Sequence, residues 1–137
     1  MNPYKWSREE LEHRDIPIAA KEFLATVGLP RFTDYPALEF GLYESDGAFV
    51  IGQCGPDPMI VREPSGTVIM EGEDGQEMYM NAQVEHIPYF IELILNGGRL
   101  DDVATKMISL DPRSLESFEH CFWAQVLYDC KVQGFLE

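Results

Sequence analysis

The stretch that decides the fold runs from Phe49 to Asn81 and reads FVIGQCGPDPMIVREPSGTVIMEGEDGQEMYMN. Short apolar runs rich in β-branched residues alternate here with turn-forming pairs such as Gly55-Pro56 and Asp74-Gly75. The turn signals recur roughly every 8–12 residues, and no helical spacing separates the runs. Because strands joined by short connections usually pair with their neighbours in sequence, the stretch predicts an antiparallel β-meander.

The predicted meander has five strands, the first of which precedes the quoted stretch. They cover residues 38–43, 48–53, 59–62, 67–70 and 77–80. Asp46-Gly47 predicts a hairpin turn between the first two strands. Proline and glycine between Gly55 and Pro58, and again between Glu63 and Gly66, predict breaks between the later strands.

Helical patterns precede the meander. Ser7 and Glu10 have the spacing of a capping box, which predicts a short helix from Ser7. Pro17 suits the first turn of a second helix, and Gly28 suits the left-handed position that ends it.

Helical patterns also follow the meander. Asn81 is predicted to cap a helix that reaches Leu95, with Pro88 causing either a kink or a true start near Ile87. Residues 100–112 look less regular, and a last helix is predicted over residues 115–129, ending near Gly134. The order predicts one α+β domain over residues 1–137, a central antiparallel meander flanked by N- and C-terminal helices.

The charge is strongly acidic. Ten Lys and Arg residues stand against 24 Asp and Glu residues, for a net charge of −14. Such a field repels phosphate backbones and anionic lipids, so the composition argues against nucleic-acid binding and membrane attachment. It favours a basic protein partner, and the alternative is that the acids only keep the chain in solution.

Other features of the sequence bear on the cellular compartment of the protein and on whether it binds a metal or cofactor. No apolar run approaches the roughly 20 residues of a membrane helix, and the start of the chain lacks the apolar segment of a secretory signal. The three cysteines, Cys54, Cys121 and Cys130, form no CxxC pair. Their odd number, together with the lack of a signal, predicts free thiols in the cytoplasm. The contexts of His13, His86 and His120 do not match a zinc deaminase, so neither metal nor cofactor is predicted.

Catalysis is not predicted either. The chain has no G-x-S-x-G element and no phosphate-binding glycine loop. The acidic run from Glu71 to Gly75 lacks the alternating ligand order of a calcium loop. Paired carboxylates are abundant, so a small carboxylate-dependent hydrolase stays as an alternative to a non-enzymatic protein.

A recognition surface is the remaining hypothesis. Acidic residues lie on or beside the predicted turns, and two tyrosines lie near them: Asp46, Glu63, Glu71, Glu73, Asp74 and Glu77, with Tyr43 and Tyr79. Turns gather at the ends of a meander, so we expect these charges to reinforce one another. Acids would speed the encounter with a basic protein, and the rings would anchor it.

Four ordered segments carry a family resemblance. They are Phe23 to Pro30 (FLATVGLP), Phe49 to Gly52 (FVIG), Ile60 to Val68 (IVREPSGTV) and Met80 to Gln83 (MNAQ). In this order the chain resembles the SUKH superfamily of bacterial immunity proteins, whose fold is called Smi1/Knr4-like, and looks closest to its fourth bacterial subgroup.

The resemblance implies both a fold and a function. The fold would be a central antiparallel sheet flanked by helices. The function would be that of a cytosolic, non-enzymatic antitoxin that binds a cognate basic toxin of the nuclease or deaminase type. A Smi1/Knr4-like interaction scaffold without a toxin partner is the alternative within the same fold.

Overall fold

The computed structural model describes residues 2–137 and has an α+β architecture with helices at both ends of a six-stranded sheet. The elements in chain order are α1 (Arg8–Glu12), α2 (Ile18–Thr26), β1 (Phe32–Thr33), β2 (Leu38–Phe40), β3 (Phe49–Cys54), β4 (Asp57–Val61), β5 (Val68–Glu71), β6 (Glu77–Asn81), α3 (His86–Leu95), α4 (Leu100–Leu110) and α5 (Phe122–Gln133).

The sheet is an antiparallel meander in which each strand pairs with the next along the chain, in the order β1-β2-β3-β4-β5-β6. The predicted topology is therefore confirmed. Two register shifts interrupt the ladder, one between Val50 and Gly52 and one between Val68 and Ile69. Such irregularities increase the local twist of a sheet.

Several predicted strand limits differ from the structure. Phe32–Thr33 lies outside the predicted strands but forms β1, because it pairs with Leu38 and Glu39. Asp57 and Pro58 were expected to lie in a break but begin β4, opposite Cys54 and Gln53. The connection from β2 to β3 is a loop over residues 41–48 rather than a tight hairpin, and Gly47 adopts a positive φ within it.

The observed helix ends show which local sequence signals predicted them correctly. The Ser7–Glu10 capping box is present, and Gly28 and Gly134 have the left-handed conformation expected of glycines that end helices. Asn81 does not cap α3. It ends β6 with a buried side chain, and α3 begins at His86 so that Pro88 lies in its first turn.

The observed C-terminal helices differ from the predicted ones in two respects. Residues 100–110 form a regular helix, α4, because Val103 and Met107 lie one turn apart and both enter the core. The last helix begins at Phe122 rather than near residue 115, since the carbonyl of His120 instead accepts a hydrogen bond from the backbone N–H of Tyr79 at 2.8 Å. Phe118 lies in the segment before this helix and is 53% exposed.

The main hydrophobic core lies between one face of the sheet and the helices. It contains side chains from every strand from β2 to β6 and from all five helices. Trp6, Phe90 and Trp123 are its largest fully buried members. Because side-chain direction alternates along a strand, every second residue points to this face and the residues between them point to the opposite face.

The opposite face of the sheet carries a separate apolar row. Val50, Ile60, Ile69 and Tyr79 are successive cross-strand neighbours on β3, β4, β5 and β6. Val50, Ile69 and Tyr79 are buried but lie outside the main core. We call this side of the sheet the outer face. Within residues 2–137, no helix has both the length and the apolar character required to cross a bilayer.

We expect Gly52→Ala to destabilise the protein. A Cβ at Gly52 would lie 2.3 Å from the backbone oxygen of Glu39 and 2.8 Å from Cε of Met59, so β2 and β3 would have to separate. The expected loss in the free energy of unfolding is about 1–3 kcal/mol.

Urea denaturation of the wild type and of the Gly52→Ala variant measures this loss. The matched control is Gly41→Ala, because a Cβ there meets only a Tyr43 ring atom at 3.9 Å. Its effect should stay within about 0.5 kcal/mol. Equal stability of the two variants would contradict the proposed close contact between β2 and β3.

Candidate partner-binding surface

The connections of the meander lie at the two opposite ends of its strands, which we call its two edges. Because consecutive strands run in opposite directions, the turns after β1, β3 and β5 lie at one edge, and the loops after β2 and β4 lie at the other. The predicted partner-binding residues are therefore divided. Glu71, Glu73, Asp74 and Glu77 surround the turn after β5, whereas Tyr43, Asp46 and Glu63 lie in the loops at the opposite edge.

The first group forms what we call the acidic edge, which comprises Asp57, Glu71, Glu73, Asp74 and Glu77. Asp57 begins β4, and the turn before it lies two strands from the β5–β6 turn, a separation of about 10 Å. Asp57 was missed at the sequence level because it was assigned to a break. Its proximity to the other acids follows from the alternation of turns in a meander.

Glu71 and Glu77 are direct cross-strand partners on β5 and β6. Like charges placed opposite each other destabilise a sheet. Arg62 forms an ion pair with Glu77 and offsets part of this repulsion. Of the five acidic-edge residues, Glu77 alone has an ion-pair partner within the described part of the chain. Four carboxylates thus remain without an internal counter-ion.

The opposite edge is bound more tightly to the rest of the molecule. One carboxylate oxygen of Glu63 lies 3.3 Å from a guanidinium nitrogen of Arg14, and the other accepts the backbone N–H of Asp15 at 2.6 Å. Arg14 also stacks on the ring of Phe49. Tyr43 and Asp46 line a shallow, polar depression beside Arg14. Glu63 is therefore already engaged in holding the α1–α2 connection to the sheet.

Tyr79 lies on the outer face and is only 7% exposed. Its hydroxyl donates to Asp111 Oδ1 at 2.9 Å, and the guanidinium of Arg113 covers its ring at 4.4 Å from the centroid. Burial, followed by the hydrogen bond to Asp111, raises the pKa of this phenol above its ordinary value. Arg113 and the Asp111 segment enclose the ring, so Tyr79 presents little surface with which it could anchor a partner.

Asp111 is the centre of a buried polar network. Besides the Tyr79 hydroxyl, its carboxylate accepts the backbone N–H of Ala82 at 2.9 Å and the side-chain amide of Asn81 at 3.3 Å. The amide oxygen of Asn81 in turn accepts the indole N–H of Trp123 at 2.8 Å. The network connects β6, the end of α4 and the start of α5.

His86 borders the same network without joining it. Its Nδ1 lies 3.9 Å from Asp111 Oδ2, beyond hydrogen-bond distance, and has no partner among residues 2–137. These polar groups lie far apart in sequence, between positions 79 and 123, so their spacing gave no signal of a cluster. In the described residues, no group of three or more His, Cys, Asp or Glu side chains is placed to hold a metal ion.

A groove of about 380 Å³ lies on the outer face beside Glu77 of the acidic edge. Arg62, Arg113 and His120 line it together with Glu77 and the edge of Tyr79. The groove places two of the few cationic side chains of the protein beside its densest group of acids. This surface therefore offers both charge signs within a short distance.

The chain was compared with family models, with curated proteins and with solved structures, and none of them matches.

We expect Asp111→Asn to lower stability by about 1.5–3 kcal/mol, because the carboxylate accepts hydrogen bonds from three donors, two of them buried, and the single oxygen of an amide cannot accept all of them. Thermal and urea denaturation should show this loss. Asp46→Asn, an exposed change of the same kind, should shift stability by no more than about 0.5 kcal/mol. If Asp111→Asn were as stable as Asp46→Asn, the network would not contribute to the fold.

Glu71→Gln should have the opposite effect and stabilise the sheet. It removes the like charge facing Glu77, which is worth about 0.2–1 kcal/mol for a cross-strand pair. The gain should shrink at high salt because exposed charges are screened. Glu73→Gln, in the turn rather than opposite another acid, serves as the control. A loss of stability in Glu71→Gln at low salt would show that Glu71 is not repelled by Glu77.

Proposed function

We propose that this protein is a non-enzymatic immunity protein of the SUKH type, with the Smi1/Knr4-like fold. It binds and neutralises a cognate toxin that is basic and acts on nucleic acid, as a nuclease or a deaminase. The acidic edge is the main contact surface. The order of helices, meander and helices supports the fold assignment, as do the four sequence segments that resemble the family.

The acidic edge is the observation that carries the proposal. Four of its five carboxylates have no internal counter-ion in the described chain, and Glu71 faces Glu77 directly. This arrangement costs stability in the free protein. Lysine and arginine side chains of a bound partner would supply the missing counter-charges, so binding would relieve the repulsion that the free protein carries.

The net charge supports a toxin that acts on nucleic acid. An enzyme with a polyanionic substrate needs a basic binding cleft. A protein with a net charge of −14 is attracted to such a cleft and can cover it. The exposed position of Glu73 and Asp74 on a turn also favours docking over a hydrolase, since catalytic carboxylates are expected to converge in a cleft.

The outer-face groove adds a means of discrimination. Arg113 lies next to the acidic edge with its guanidinium over the ring of Tyr79, whereas Arg62 is paired with Glu77, so a partner would meet one unpaired cationic group beside the acids. Like-charge contacts at an interface penalise the wrong partner by several kcal/mol. The combined surface would therefore select one toxin from a group of basic proteins that the acidic edge alone would attract.

The test uses the products of the genes adjacent to the one encoding this chain. We expect one of them to be toxic when expressed alone, and to be bound and neutralised by this protein. In the triple variant Glu71→Lys, Glu73→Lys and Asp74→Lys, association measured by stopped flow should slow by about tenfold or more at low salt. The difference between variant and wild type should narrow at high salt.

A second triple variant distinguishes the effect of the acidic edge on association from the effect of net charge. Glu92→Lys, Glu116→Lys and Asp129→Lys change the charge by the same amount at exposed positions outside the acidic edge. This variant should associate much faster than the acidic-edge variant. If the two variants associate equally fast, or if no adjacent gene product is bound, the proposal fails. Binding of a non-toxic adjacent product would indicate an interaction scaffold instead.

A further inference from the structure

The outer-face groove beside Glu77 reverses the sign of charge that prevails in the rest of the protein. Its charged lining residues are two arginines, Arg62 and Arg113, and one glutamate, which give a net charge of +1. The whole chain carries −14. Four other depressions on the described surface have linings with a net charge of −1 or zero. Among these five depressions, the groove is the one whose lining favours an anion.

Arg113 supplies the positive charge of the groove that is not already neutralised. The other arginine, Arg62, is paired with Glu77. Asp111, two residues before Arg113, is occupied by its own three donors. Within residues 2–137, Arg113 forms no ion pair, and the arginine side chains that donate hydrogen bonds belong to Arg8, Arg14 and Arg31. The N–H donors of the Arg113 guanidinium thus stay available to another molecule.

Tyr79 holds Arg113 and His120 in place at the groove. The guanidinium carbon of Arg113 lies 4.4 Å from the centroid of the Tyr79 ring. The hydroxyl of this ring donates to Asp111 at 2.9 Å, and the backbone N–H of Tyr79 donates to the carbonyl of His120 at 2.8 Å. Because the ring is fixed and the guanidinium stacks on it, less conformational entropy is lost when Arg113 binds a ligand.

We propose that the outer-face groove binds a carboxylate, supplied by an aspartate or glutamate side chain of the partner protein. The planar guanidinium of Arg113 matches the two oxygens of a carboxylate and can donate to both. Ile69 and the edge of Tyr79 offer apolar surface to the methylene groups of such a side chain. That the carboxylate belongs to a partner rests on the proposed function; the carboxylate site itself does not.

The neighbouring acids distinguish a carboxylate from a phosphate group. Glu77 lies in the groove itself, and Glu71 faces Glu77 across the strands. A phosphate group carries up to two negative charges at neutral pH, so these acids repel it roughly twice as strongly as they repel a carboxylate. The net charge of the chain acts in the same direction against nucleic acid. A singly charged carboxylate is therefore the anion that the groove favours.

The position of the groove gives the reason for a carboxylate on the partner. Glu77 belongs both to the acidic edge and to the groove, so a protein that covers the acidic edge also approaches Arg113. Removing an unpaired guanidinium from water is costly, and a carboxylate partner offsets this cost. A toxin with an acidic residue beside its basic surface would therefore bind in one orientation, and a toxin without such a residue would be disfavoured.

The first test is a titration of the ¹⁵N-labelled protein with sodium acetate, followed by two-dimensional NMR. Acetate replaces chloride, so the ionic strength stays constant. We expect saturable shifts of the side-chain Nε–H of Arg113 and of the amides of Tyr79 and His120. A single guanidinium–carboxylate contact in water is weak, so the dissociation constant should be on the order of 10–100 mM.

Arg99 provides the matched control, because it is an exposed arginine without an ion pair in the described chain. Its Nε–H should shift much less than that of Arg113, and Arg99→Gln should bind acetate like the wild type. In Arg113→Gln the affinity should fall about tenfold or more. Arg113→Lys keeps the charge but loses the planar fork, so its loss should be intermediate.

Three results of the titration would overturn the site. They are the lack of a saturable shift in the wild type, equal shifts at Arg113 and Arg99, and equal affinities in the wild type and Arg113→Gln. Arg113 is exposed, so both of its variants are expected to fold.

The source of the carboxylate is tested with peptides. Acetyl-Gly-Glu-Gly-amide should cause the same shifts as acetate, and its glutamine analogue should not. Acetyl-Gly-Gly-Gly with a free C-terminus tests a chain end as the source. Binding of acetate or of the chain end without binding of the glutamate peptide would overturn the side-chain assignment.

The partner is tested with the adjacent gene product that the toxin-binding experiment identifies. Arg113→Gln should speed dissociation of the complex by about tenfold or more and change association little, because loss of one member of a buried charge pair acts mainly on dissociation. Unchanged dissociation would overturn the assignment to the partner. If no adjacent product is bound, the proposed function fails, and the acetate and peptide titrations still decide the carboxylate site.

Discussion

Antiparallel pairing of six consecutive strands is the constraint on which the rest of the structure depends. It places every second connection at the same edge of the sheet, and so it gathers the acids around β4, β5 and β6 while sending Asp46 and Glu63 to the other edge. The same pairing sets Glu71 opposite Glu77. The electrostatic character of each edge is thus a consequence of topology as much as of composition.

The helices depend on the sheet through a polar contact as well as through the apolar core. Asp111 and Asn81 connect the last strand to the end of α4 and to Trp123 on α5. Hydrogen bonds are directional, whereas apolar packing tolerates small rotations, so this network specifies how the C-terminal helices lie on the sheet. The network also positions the segment that holds Arg113, whose guanidinium covers the ring of Tyr79 on the outer face.

Local signals in the sequence were sufficient to predict much of the fold. The capping box at Ser7, the left-handed glycines and the turn spacing of the meander each depend on a few adjacent residues, and all appear in the structure. Long-range contacts were not predictable in this way. Asn81 resembles a helix cap, and nothing near it in sequence indicates that Trp123 and Asp111 engage its side chain instead.

Both outer strands of the sheet are poor templates for further strand addition. At one side β1 has only two residues, and at the other the carbonyl of His120 occupies the backbone N–H of Tyr79 in β6. Long, unprotected strands at a sheet margin promote aggregation and amyloid-like growth. These margins leave little free backbone with which a second copy of the chain could pair, and the net charge of −14 adds repulsion between copies.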